Sequence, residues 1–249
     1  MRRFALIGDP VGHSLSPVMH NAAFAAAGID ARYEAVRVTI ADLGALMRHL
    51  ANAYEGFNVT TPLKEAVLPF VSEMSGDASR AGAVNTVRVR GGGVAGHNTD
   101  GIGFVAAIAD IWQLAPRGLG VCILGSGPAA RAIARALHDA GAARVDCWSR
   151  NAATAAEIGP APVAGADLVV SALPQSAVIP PGILDAVGGA RYVFDVNYSA
   201  KRSPVPKEIG EHRTDGLPLL LHQGALSFEW WTGVKAPLAA MRTALAGAM

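Results

Sequence analysis

Lys64 is the residue whose type and position most strongly suggest chemistry. A strand-like run ends at Val59, and Thr61 and Pro62 have the residue types of a helix N-cap and a first helical residue. The sequence therefore predicts a helix that begins at Pro62 and carries Lys64 in its first turn. The positive end of the helix dipole opposes an ammonium there by about 0.3–1 kcal/mol, so this lysine suits proton transfer. An exposed lysine that tolerates the small penalty is the alternative.

Two other predicted helix starts carry polar residues that could share a site with Lys64. Ser16 and Pro17 have the types of an N-cap and a first helical residue, and Ser14 adds a second hydroxyl. These hydroxyls and the free backbone N–H groups favour an anion, most simply a carboxylate. Asp100 precedes an apolar helical pattern and has the charge that a helix start prefers. We expect the lysine, its carboxylate partner and the anion site to face one pocket, with plain helix capping as the alternative for each serine or aspartate alone.

Composition limits the classes of partner. The chain has 249 residues, of which 51% are hydrophobic and 16% charged, with a formal net charge of +1. It can bury a large core in one or two domains, and it carries no charge pattern for nucleic acid or an anionic membrane. A small-molecule partner is expected.

Cys122 and Cys147 lie in apolar runs and are predicted to be buried free thiols. The apolar run before Gly8 is too short for a signal peptide or membrane span, so a cytoplasmic protein is expected.

Strand and helix patterns alternate along the chain, which predicts an α/β fold. Residues 4–7, 33–38 and 56–59 have strand patterns, and residues 17–27 and 41–50 have helical ones. Parallel sheets bind ligands at the carboxyl ends of their strands, where both Lys64 and the serine loop would lie. A helix is predicted after Asp100 and runs to about Ile111, and the break at 116–118 that follows suits a domain junction.

A second site is predicted by the glycines after the strand pattern at 120–124. Gly125, Gly127 and Ala130 fit the G-x-G-x-x-A dinucleotide fingerprint, and an apolar helix pattern follows. The next strand pattern ends at Arg150 with no acidic residue at its tip, which indicates NADP rather than NAD; a solvated arginine is the alternative. The predicted cofactor-binding residues are Gly125, Ser126, Gly127, Pro128, Ala129, Ser149, Arg150 and Asn151.

Six motifs in chain order resemble the shikimate dehydrogenase family. They are Gly8 to Asn21, Asn58 to Lys64, Gly82 to Thr86, Asn98 to Gly101, the glycine loop, and Gln223 to Ala225 with Phe228. The resemblance implies NADP-dependent reduction of 3-dehydroshikimate to shikimate in aromatic amino-acid biosynthesis, without a metal. It implies a substrate domain at 1–101, a Rossmann-like NADP domain at 102–218, and C-terminal helices at 219–249 that pack back on the substrate domain, in a monomer or homodimer.

The resemblance also implies individual residue roles. Lys64 and Asp100 would be the catalytic pair, and Tyr198 would lie beside the substrate. Ser14 and Ser16 would bind the substrate carboxylate. The ring hydroxyls would be bound by Thr60, Lys64, Asn85, Asp100 and Gln223.

Some positions depart from the family pattern, and two other functions stay open. Pro128 stands where a glycine is usual, Thr154 stands where a second arginine is frequent, and Lys201 and Arg202 lie in an atypical segment.

A quinate or dual quinate/shikimate dehydrogenase is one alternative function. The other is a non-catalytic NADP- or metabolite-sensing module, against which the intact Lys64 and Asp100 argue. His13, His20 and His97 have no metal-ligand spacing, and Phe228, Trp230 and Trp231 are expected to pack in the core.

Overall fold

The computed structural model describes residues 1–198 and 203–248, which form two compact units. Unit 1 comprises Met1–Gly103 with Leu220–Met249, and unit 2 comprises Phe104–Leu219. The predicted domain ends, 101 and 218, differ from these limits by two residues and by one. The break at 116–118 lies inside unit 2. The chain passes between the units inside two helices, which explains why neither passage coincides with a Pro/Gly break.

Unit 1 is built from a mixed sheet and helices, and the βαβαβ order predicted for its first part is confirmed. Its strands are β1 (Arg2–Gly8), β2 (Ala31–Arg37), β3 (Gly56–Val59), β4 (Glu73–Met74), β5 (Thr86–Arg90) and β6 (Gly93–His97). Its helices are α1 (Ser16–Ala26), α2 (Ile40–Ala53), α3 (Leu63–Ala66), α4 (Gly76–Ala81), the start of α5 (Asp100–Trp112), most of α9 (Leu217–Thr232), and α10 (Leu238–Ala246), with a 3₁₀ turn at Leu68–Phe70.

The strand directions in unit 1 bring four connections to one edge of the sheet. The order is β2-β1-β3-β5-β6-β4, with β1 parallel to β2 and β3. β5 is antiparallel to both β3 and β6, so Thr86 at its start pairs with Asn58 and with His97. The segments that follow β1, β3 and β6 and the one that precedes β5 therefore share this edge. These segments carry every residue of unit 1 proposed for the site except those of α9.

An aromatic cluster joins the C-terminal helix α9 to the sheet of unit 1. Phe228 and Trp231 are buried, and the Trp231 indole N–H donates to the Val87 carbonyl at 2.8 Å. Phe4 lies 4.9 Å from Phe24 and 5.1 Å from Trp231 between ring centroids. The prediction that Phe228 and Trp231 pack in the core is confirmed. Trp230 is only partly buried, with the Arg88 guanidinium 4.5 Å from its ring.

Unit 2 contains a parallel sheet of five strands, β7 (Gly120–Leu124), β8 (Arg144–Trp148), β9 (Leu168–Ser171), β10 (Tyr192–Asp195) and β11 (His212–Thr214). Their order in the sheet is β11-β10-β9-β7-β8. From β7 the chain continues to β8 on one side of β7 and then crosses to β9 on the other side. The order of the strands therefore reverses at β7. Ligands of open α/β sheets bind at such a switch point. The predicted two-domain α/β fold class is confirmed. The helices that lie wholly within unit 2 are α6 (Pro128–Asp139), α7 (Ala152–Ala156) and α8 (Pro181–Val187).

The buried strands of unit 2 explain its apolar sequence runs. All residues of β9 and most of β7 are buried, as expected for central strands with both faces covered. Phe104, Ile133 and Phe194 belong to the core on one side of the sheet. No helix in the described part of the chain is long and apolar enough to cross a membrane.

Candidate active site

The Lys64 ammonium and the Asp100 carboxylate form a shielded ion pair in unit 1. Lys64 Nζ donates to Asp100 Oδ2 at 2.6 Å. The side chains are 14% and 7% exposed, so the attraction is screened less than in a surface pair. Lys64 keeps the larger exposed fraction, and its ammonium has further hydrogens to donate.

The local structure that places Lys64 differs from the prediction. Helix α3 begins at Leu63 and has four residues, and no side chain caps it. The predicted N-cap Thr61 and first helical residue Pro62 are therefore wrong. A single turn brings both ends of the helix equally close, so the dipole does not explain the lysine. Burial of Leu63 and a 2.9 Å hydrogen bond from the Val84 N–H to the Lys64 carbonyl hold the turn in place.

Asp100 is the first residue of α5, and its two carboxylate oxygens face Lys64 and Asn85. The side-chain carbonyl oxygen of Asn98 accepts the Asp100 N–H at 3.0 Å. The predicted position of Asp100, immediately before the helix, is therefore wrong by one residue. Because Asn98 satisfies this backbone group, both Asp100 oxygens are available for the site.

Asn85 connects the ion pair to the rest of unit 1, and its amide orientation follows from its partners. The Thr99 backbone N–H donates to Asn85 Oδ1 at 2.9 Å, which identifies that atom as the acceptor. Asn85 Nδ2 then donates to Asp100 Oδ1 at 2.7 Å, and Gln223 Oε1 lies 3.5 Å from the same nitrogen. The structure therefore brings together Lys64, Asn85, Asp100 and Gln223, four of the residues to which the family resemblance gives roles.

The two serines of the predicted anion site also lie together. Helix α1 begins at Ser16 with Leu15 as the flanking residue, so Ser16 as N-cap and Pro17 as first helical residue are each wrong by one position. Ser14 Oγ accepts the Ser16 N–H at 3.2 Å, and the two hydroxyl oxygens are 3.2 Å apart. Ser16 is buried and Ser14 is half-buried. A pair of adjacent hydroxyls at a helix start is an arrangement that suits a carboxylate.

Thr60 follows β3 beside the end of β1. Its N–H donates to the Ile7 carbonyl at 2.9 Å, and a Cβ added to Gly8 would overlap Thr60 Cγ2. Gly8 therefore allows the threonine to approach the loop that leads to the two serines.

A buried polar network behind the ion pair was not predicted. Asn58 Nδ2 lies 3.1 Å from the Asn85 carbonyl oxygen, 3.1 Å from Thr86 Oγ1 and 3.0 Å from Ser227 Oγ. The Tyr33 hydroxyl donates to Asn58 Oδ1 at 2.8 Å. One signal was present in the sequence, since Asn58 interrupts an otherwise apolar strand. Nothing in the local pattern of α9 indicated Ser227.

The glycine turn of unit 2 has the geometry of a pyrophosphate site. Gly125 has φ +115°, and an added Cβ would lie 2.9 Å from the Ala172 carbonyl oxygen, so only glycine fits. Gly127 precedes α6, and an added Cβ there would enter open space with no atom within 4 Å. The N-cap residue of the twelve-residue α6 is Gly127, which offers no side-chain acceptor to the N–H groups of the first turn. These features fit the dinucleotide phosphates.

Three hydroxyl groups lie beside this turn. Ser126 Oγ is 2.9 Å from Ser149 Oγ and 2.6 Å from Thr154 Oγ1. Asn151 Oδ1 accepts the N–H groups of Ala153 and Thr154 and so caps α7. The hydroxyls join the end of β7 to the end of β8, where the ribose end of a dinucleotide is recognised.

Arg150 lies next to these hydroxyls in sequence and is exposed. It makes no hydrogen bond or ion pair with residues 1–198 or 203–248. Its guanidinium is therefore available for a phosphate.

Two histidines and both cysteines are shielded from solvent by the fold. His20 is fully buried and stacks on Tyr33 at 4.4 Å between centroids, and burial lowers its pKa to about 3. His97 Nδ1 lies 2.6 Å from Ser75 Oγ, and burial lowers its pKa. Cys122 and Cys147 are buried free thiols, as predicted, and burial raises their pKa values to about 12 and about 11. The described residues contain no His/Cys/Asp/Glu cluster that could hold a metal ion.

Comparison with known proteins relates both units to one family. Residues 6–87 match the shikimate dehydrogenase substrate binding domain, and residues 216–246 match the shikimate 5′-dehydrogenase C-terminal domain. The shikimate dehydrogenase (NADP(+)) of Desulfitobacterium hafniense (strain Y51) is 35% identical to this chain, and the match covers 98% of this chain and 97% of that protein. The chain belongs to the shikimate dehydrogenase family.

Solved structures agree with membership of the shikimate dehydrogenase family. The shikimate 5-dehydrogenase of Thermus thermophilus in complex with NADP(H) and shikimate has 33% sequence identity and a TM-score of 0.90, covering 100% of both chains. The ligand-free 5-ketofructose reductase of Gluconobacter sp. strain CHM43 has 29% identity and a TM-score of 0.84, covering 100% of this chain and 99% of that one.

Two of the positions that depart from the shikimate dehydrogenase pattern, Pro128 and Thr154, are accommodated in unit 2. Pro128 is the first residue of α6, where its fixed φ suits the helix and its missing N–H costs nothing. Thr154 lies in hydrogen-bond contact with the Ser126 hydroxyl. Tyr198 follows β10 and is half-buried in unit 2. Lys201 and Arg202 lie outside the described residues.

Proposed function

We propose that this protein catalyses the NADP-dependent, reversible reduction of 3-dehydroshikimate to shikimate, a reaction of aromatic amino-acid (chorismate) biosynthesis. The observation that carries the proposal is the shielded Lys64–Asp100 pair, 2.6 Å apart, in a member of the shikimate dehydrogenase family. The predicted cofactor is confirmed, since the relatives carry NADP in their names. A redox enzyme of this type needs a proton donor beside its hydride acceptor, and the pair supplies one.

Lys64 is the proton donor in this mechanism. Bound NADPH supplies a hydride to the substrate carbonyl carbon. As negative charge develops on the carbonyl oxygen, the Lys64 ammonium donates a proton to it, and an alcohol results. In the reverse direction the neutral Lys64 amine accepts the proton of the shikimate hydroxyl.

Asp100 and Asn85 keep Lys64 in position. The Asp100 carboxylate stabilises the ammonium through Oδ2, while its other oxygen accepts the Asn85 amide at 2.7 Å. A carboxylate bound at both oxygens cannot rotate freely, so the lysine is held in one orientation. Preorganisation of this kind lowers the barrier because no rearrangement is needed during proton transfer.

The other residues of unit 1 recognise the substrate. Ser14 and Ser16 bind its carboxylate through two adjacent hydroxyls, which are 3.2 Å apart. Thr60, Asn85 and Gln223 offer both donors and acceptors, as ring hydroxyls require. Tyr198 of unit 2 is a further proposed contact of the substrate.

Unit 2 binds NADP. The open space beside Gly127 and the uncapped start of α6 support a pyrophosphate site there. Arg150 would pair with the 2′-phosphate. The contacts to the dinucleotide are proposed for Gly125, Ser126, Gly127, Pro128, Ala129, Ser149, Arg150 and Asn151. Reaction in the cytoplasm, by a monomer or homodimer, remains a prediction.

Quinate is the principal alternative substrate. It carries one more hydroxyl, on the carbon that bears the carboxylate, so residues near the carboxylate would decide between the two acids. The likeness to a 5-ketofructose reductase makes a sugar ketone a further substrate to assay. A sensing module without catalysis has no use for a shielded Lys64–Asp100 pair.

Steady-state assays test the proposal directly. The purified protein should oxidise shikimate with NADP⁺ and reduce 3-dehydroshikimate with NADPH. Quinate, fructose with NADP⁺, and shikimate with NAD⁺ are run in parallel. Shikimate with NADP⁺ should have the highest kcat/KM; a higher value for quinate or fructose would reject the assignment.

A further inference from the structure

Ser227 of α9 is fully buried among the polar groups behind the proposed active site. Its hydroxyl donates to the Gln223 carbonyl oxygen at 3.0 Å and lies 2.8 Å from Thr86 Oγ1. It accepts from Asn58 Nδ2 at 3.0 Å. Asn58 and Thr86 are cross-strand partners in the sheet. Ser227 is therefore one point at which α9 is hydrogen-bonded to β3 and to the start of β5.

Helical spacing links this contact to Gln223. Residues four apart lie on one face of a helix, so the contact made by Ser227 turns Gln223 toward the same sheet edge. There Gln223 Oε1 lies 3.5 Å from Asn85 Nδ2. Thr86, which contacts Ser227, also donates to Asn85 Oδ1 at 2.9 Å. Both amides of the proposed substrate site are thus connected to this serine.

Gly103 supplies an independent constraint on the same part of α9. A Cβ added to Gly103 would lie 2.7 Å from the Gln223 backbone nitrogen and 2.8 Å from its Cα. A side chain of any other residue type would push α9 away at this point. Gly103 is three residues after Asp100, so the close approach occurs beside the carboxylate of the ion pair.

We propose that Ser227 is a positioning residue that sets the place of Gln223 for substrate recognition, and that Gly103 permits the approach of α9 that this requires. The inference rests on the proposed function, in which Gln223 binds a substrate hydroxyl. Ser227 acts through Gln223 and does not itself touch the reacting atoms.

The Ser227→Ala variant should fold, because the buried donors around Ser227 keep hydrogen-bond acceptors in the variant. The two Asn58 Nδ2 hydrogens retain the Asn85 carbonyl oxygen and Thr86 Oγ1 as acceptors, each at 3.1 Å. Thr86 still donates to Asn85 Oδ1. The substitution therefore removes this one contact between α9 and the sheet, while the hydrogen bond from Trp231 to the Val87 carbonyl remains.

Steady-state kinetics of Ser227→Ala provide the first test. The KM for shikimate should rise about 2- to 10-fold, the effect of one hydrogen bond, while kcat and the KM for NADP⁺ stay near wild type. Ser227→Cys, which keeps the size and a weak donor, should recover part of the loss. Thr232→Ala is the matched control, because Thr232 also donates to the carbonyl four residues earlier, at 2.8 Å, but makes no hydrogen bond to a strand within the described residues. It should leave the KM for shikimate unchanged.

A double-mutant cycle with Gln223→Ala tests whether Ser227 acts through Gln223. In the Gln223→Ala background, Ser227→Ala should cause no further rise in KM. An equal rise in both backgrounds, or a wild-type KM in the single variant, would overturn the inference. Wild-type protein that lacks shikimate activity would instead reject the proposed function, so the two failures are distinguishable.

Gly103→Ala tests the same inference from the other helix. It should raise the KM for shikimate at least as much as Ser227→Ala does, since the new Cβ must displace backbone. Gly44→Ala is the control: it also lies within a helix of unit 1, and its added Cβ would be 3.6 Å from the Phe70 ring, an ordinary contact. An unchanged KM in Gly103→Ala would contradict the positioning role.

Discussion

Asn85 donates its side-chain amide to Asp100 Oδ1 at 2.7 Å, on the carboxylate oxygen that does not accept from Lys64. The two Asp100 oxygens are therefore divided between a cation and a neutral amide. Asn85 is itself oriented by the Thr99 backbone N–H, so the position of the lysine depends on a chain of contacts from three segments of unit 1.

Asn85→Ala should reduce both stability and activity. It leaves the buried Thr99 N–H and one Asp100 oxygen without this partner, which costs about 1–3 kcal/mol. Urea unfolding measures the first effect, and kcat with shikimate and NADP⁺ measures the second. A variant with wild-type kcat would show that Lys64 needs no support from Asn85.

Lys64→Ala should lower kcat about 10²- to 10⁴-fold, the range for losing a general acid–base. Because Asp100 is buried, the variant also leaves a shielded carboxylate without its cation, so some loss of stability is expected. Binding of NADP⁺, measured by calorimetry, should persist and shows that the variant is folded. Lys235→Ala, at an exposed lysine of unit 1, is the control and should keep full activity. Near wild-type kcat in Lys64→Ala would exclude Lys64 as the proton donor.

Replacement of both Ser14 and Ser16 by alanine should raise the KM for shikimate strongly, because two hydroxyl donors to the carboxylate are lost. The affinity for NADP⁺ should stay nearly unchanged. A substrate analogue without the carboxylate separates binding from helix capping. If its KM rises as much as that of shikimate, the hydroxyls serve only the start of α1.

Arg150→Ala should remove most of the preference for NADP over NAD. A charge-assisted contact with the 2′-phosphate contributes about 1.5–3 kcal/mol, or roughly 10- to 150-fold in affinity. The Kd values of NADP⁺ and NAD⁺ give the selectivity ratio, with Arg117→Ala as a control at another exposed arginine of unit 2. An unchanged ratio would mean that other residues bind the 2′-phosphate. Lys201 and Arg202 would then be replaced next.

The buried His20 should make stability dependent on pH below neutrality. Burial lowers its pKa to about 3 in the folded chain, against an ordinary value of about 6.5 in an unfolded one. Between these values the unfolded chain binds a proton that the folded chain does not. The contribution of His20 is therefore complete above pH 6.5 and is lost as the pH falls toward 3, by up to about 1.4 kcal/mol per pH unit.

Urea unfolding of His20→Phe from pH 7 to pH 4 checks this expectation, where phenylalanine keeps a ring against Tyr33. The variant should lose less stability on acidification than wild type does. His49→Gln, at an exposed histidine, should follow the wild-type curve. Parallel curves for wild type and His20→Phe would mean that His20 does not set this dependence.

Local sequence patterns were enough to predict the order of the elements in the first half of the chain and several residues of the proposed site. Hydrophobic periodicity is a local property, so it predicted β3 at 56–59 as observed and most other elements of the first half within a few residues. The types and spacing of Lys64, Asp100 and the glycines of the turn indicated proton transfer and dinucleotide binding, because such chemistry requires particular functional groups.

The exact helix starts and the contacts of these residues could not be predicted from local patterns. Helix starts were misplaced by one residue at Ser16 and Asp100, since the choice of cap depends on side-chain contacts that a pattern does not contain. The helix dipole does not explain the position of Lys64, whose ammonium forms an ion pair with Asp100, 36 positions away. Ser227 forms a hydrogen bond with Asn58, which lies 169 positions earlier in the chain. Contacts between residues so distant in the chain arise from strand order and helix packing, which no local pattern specifies.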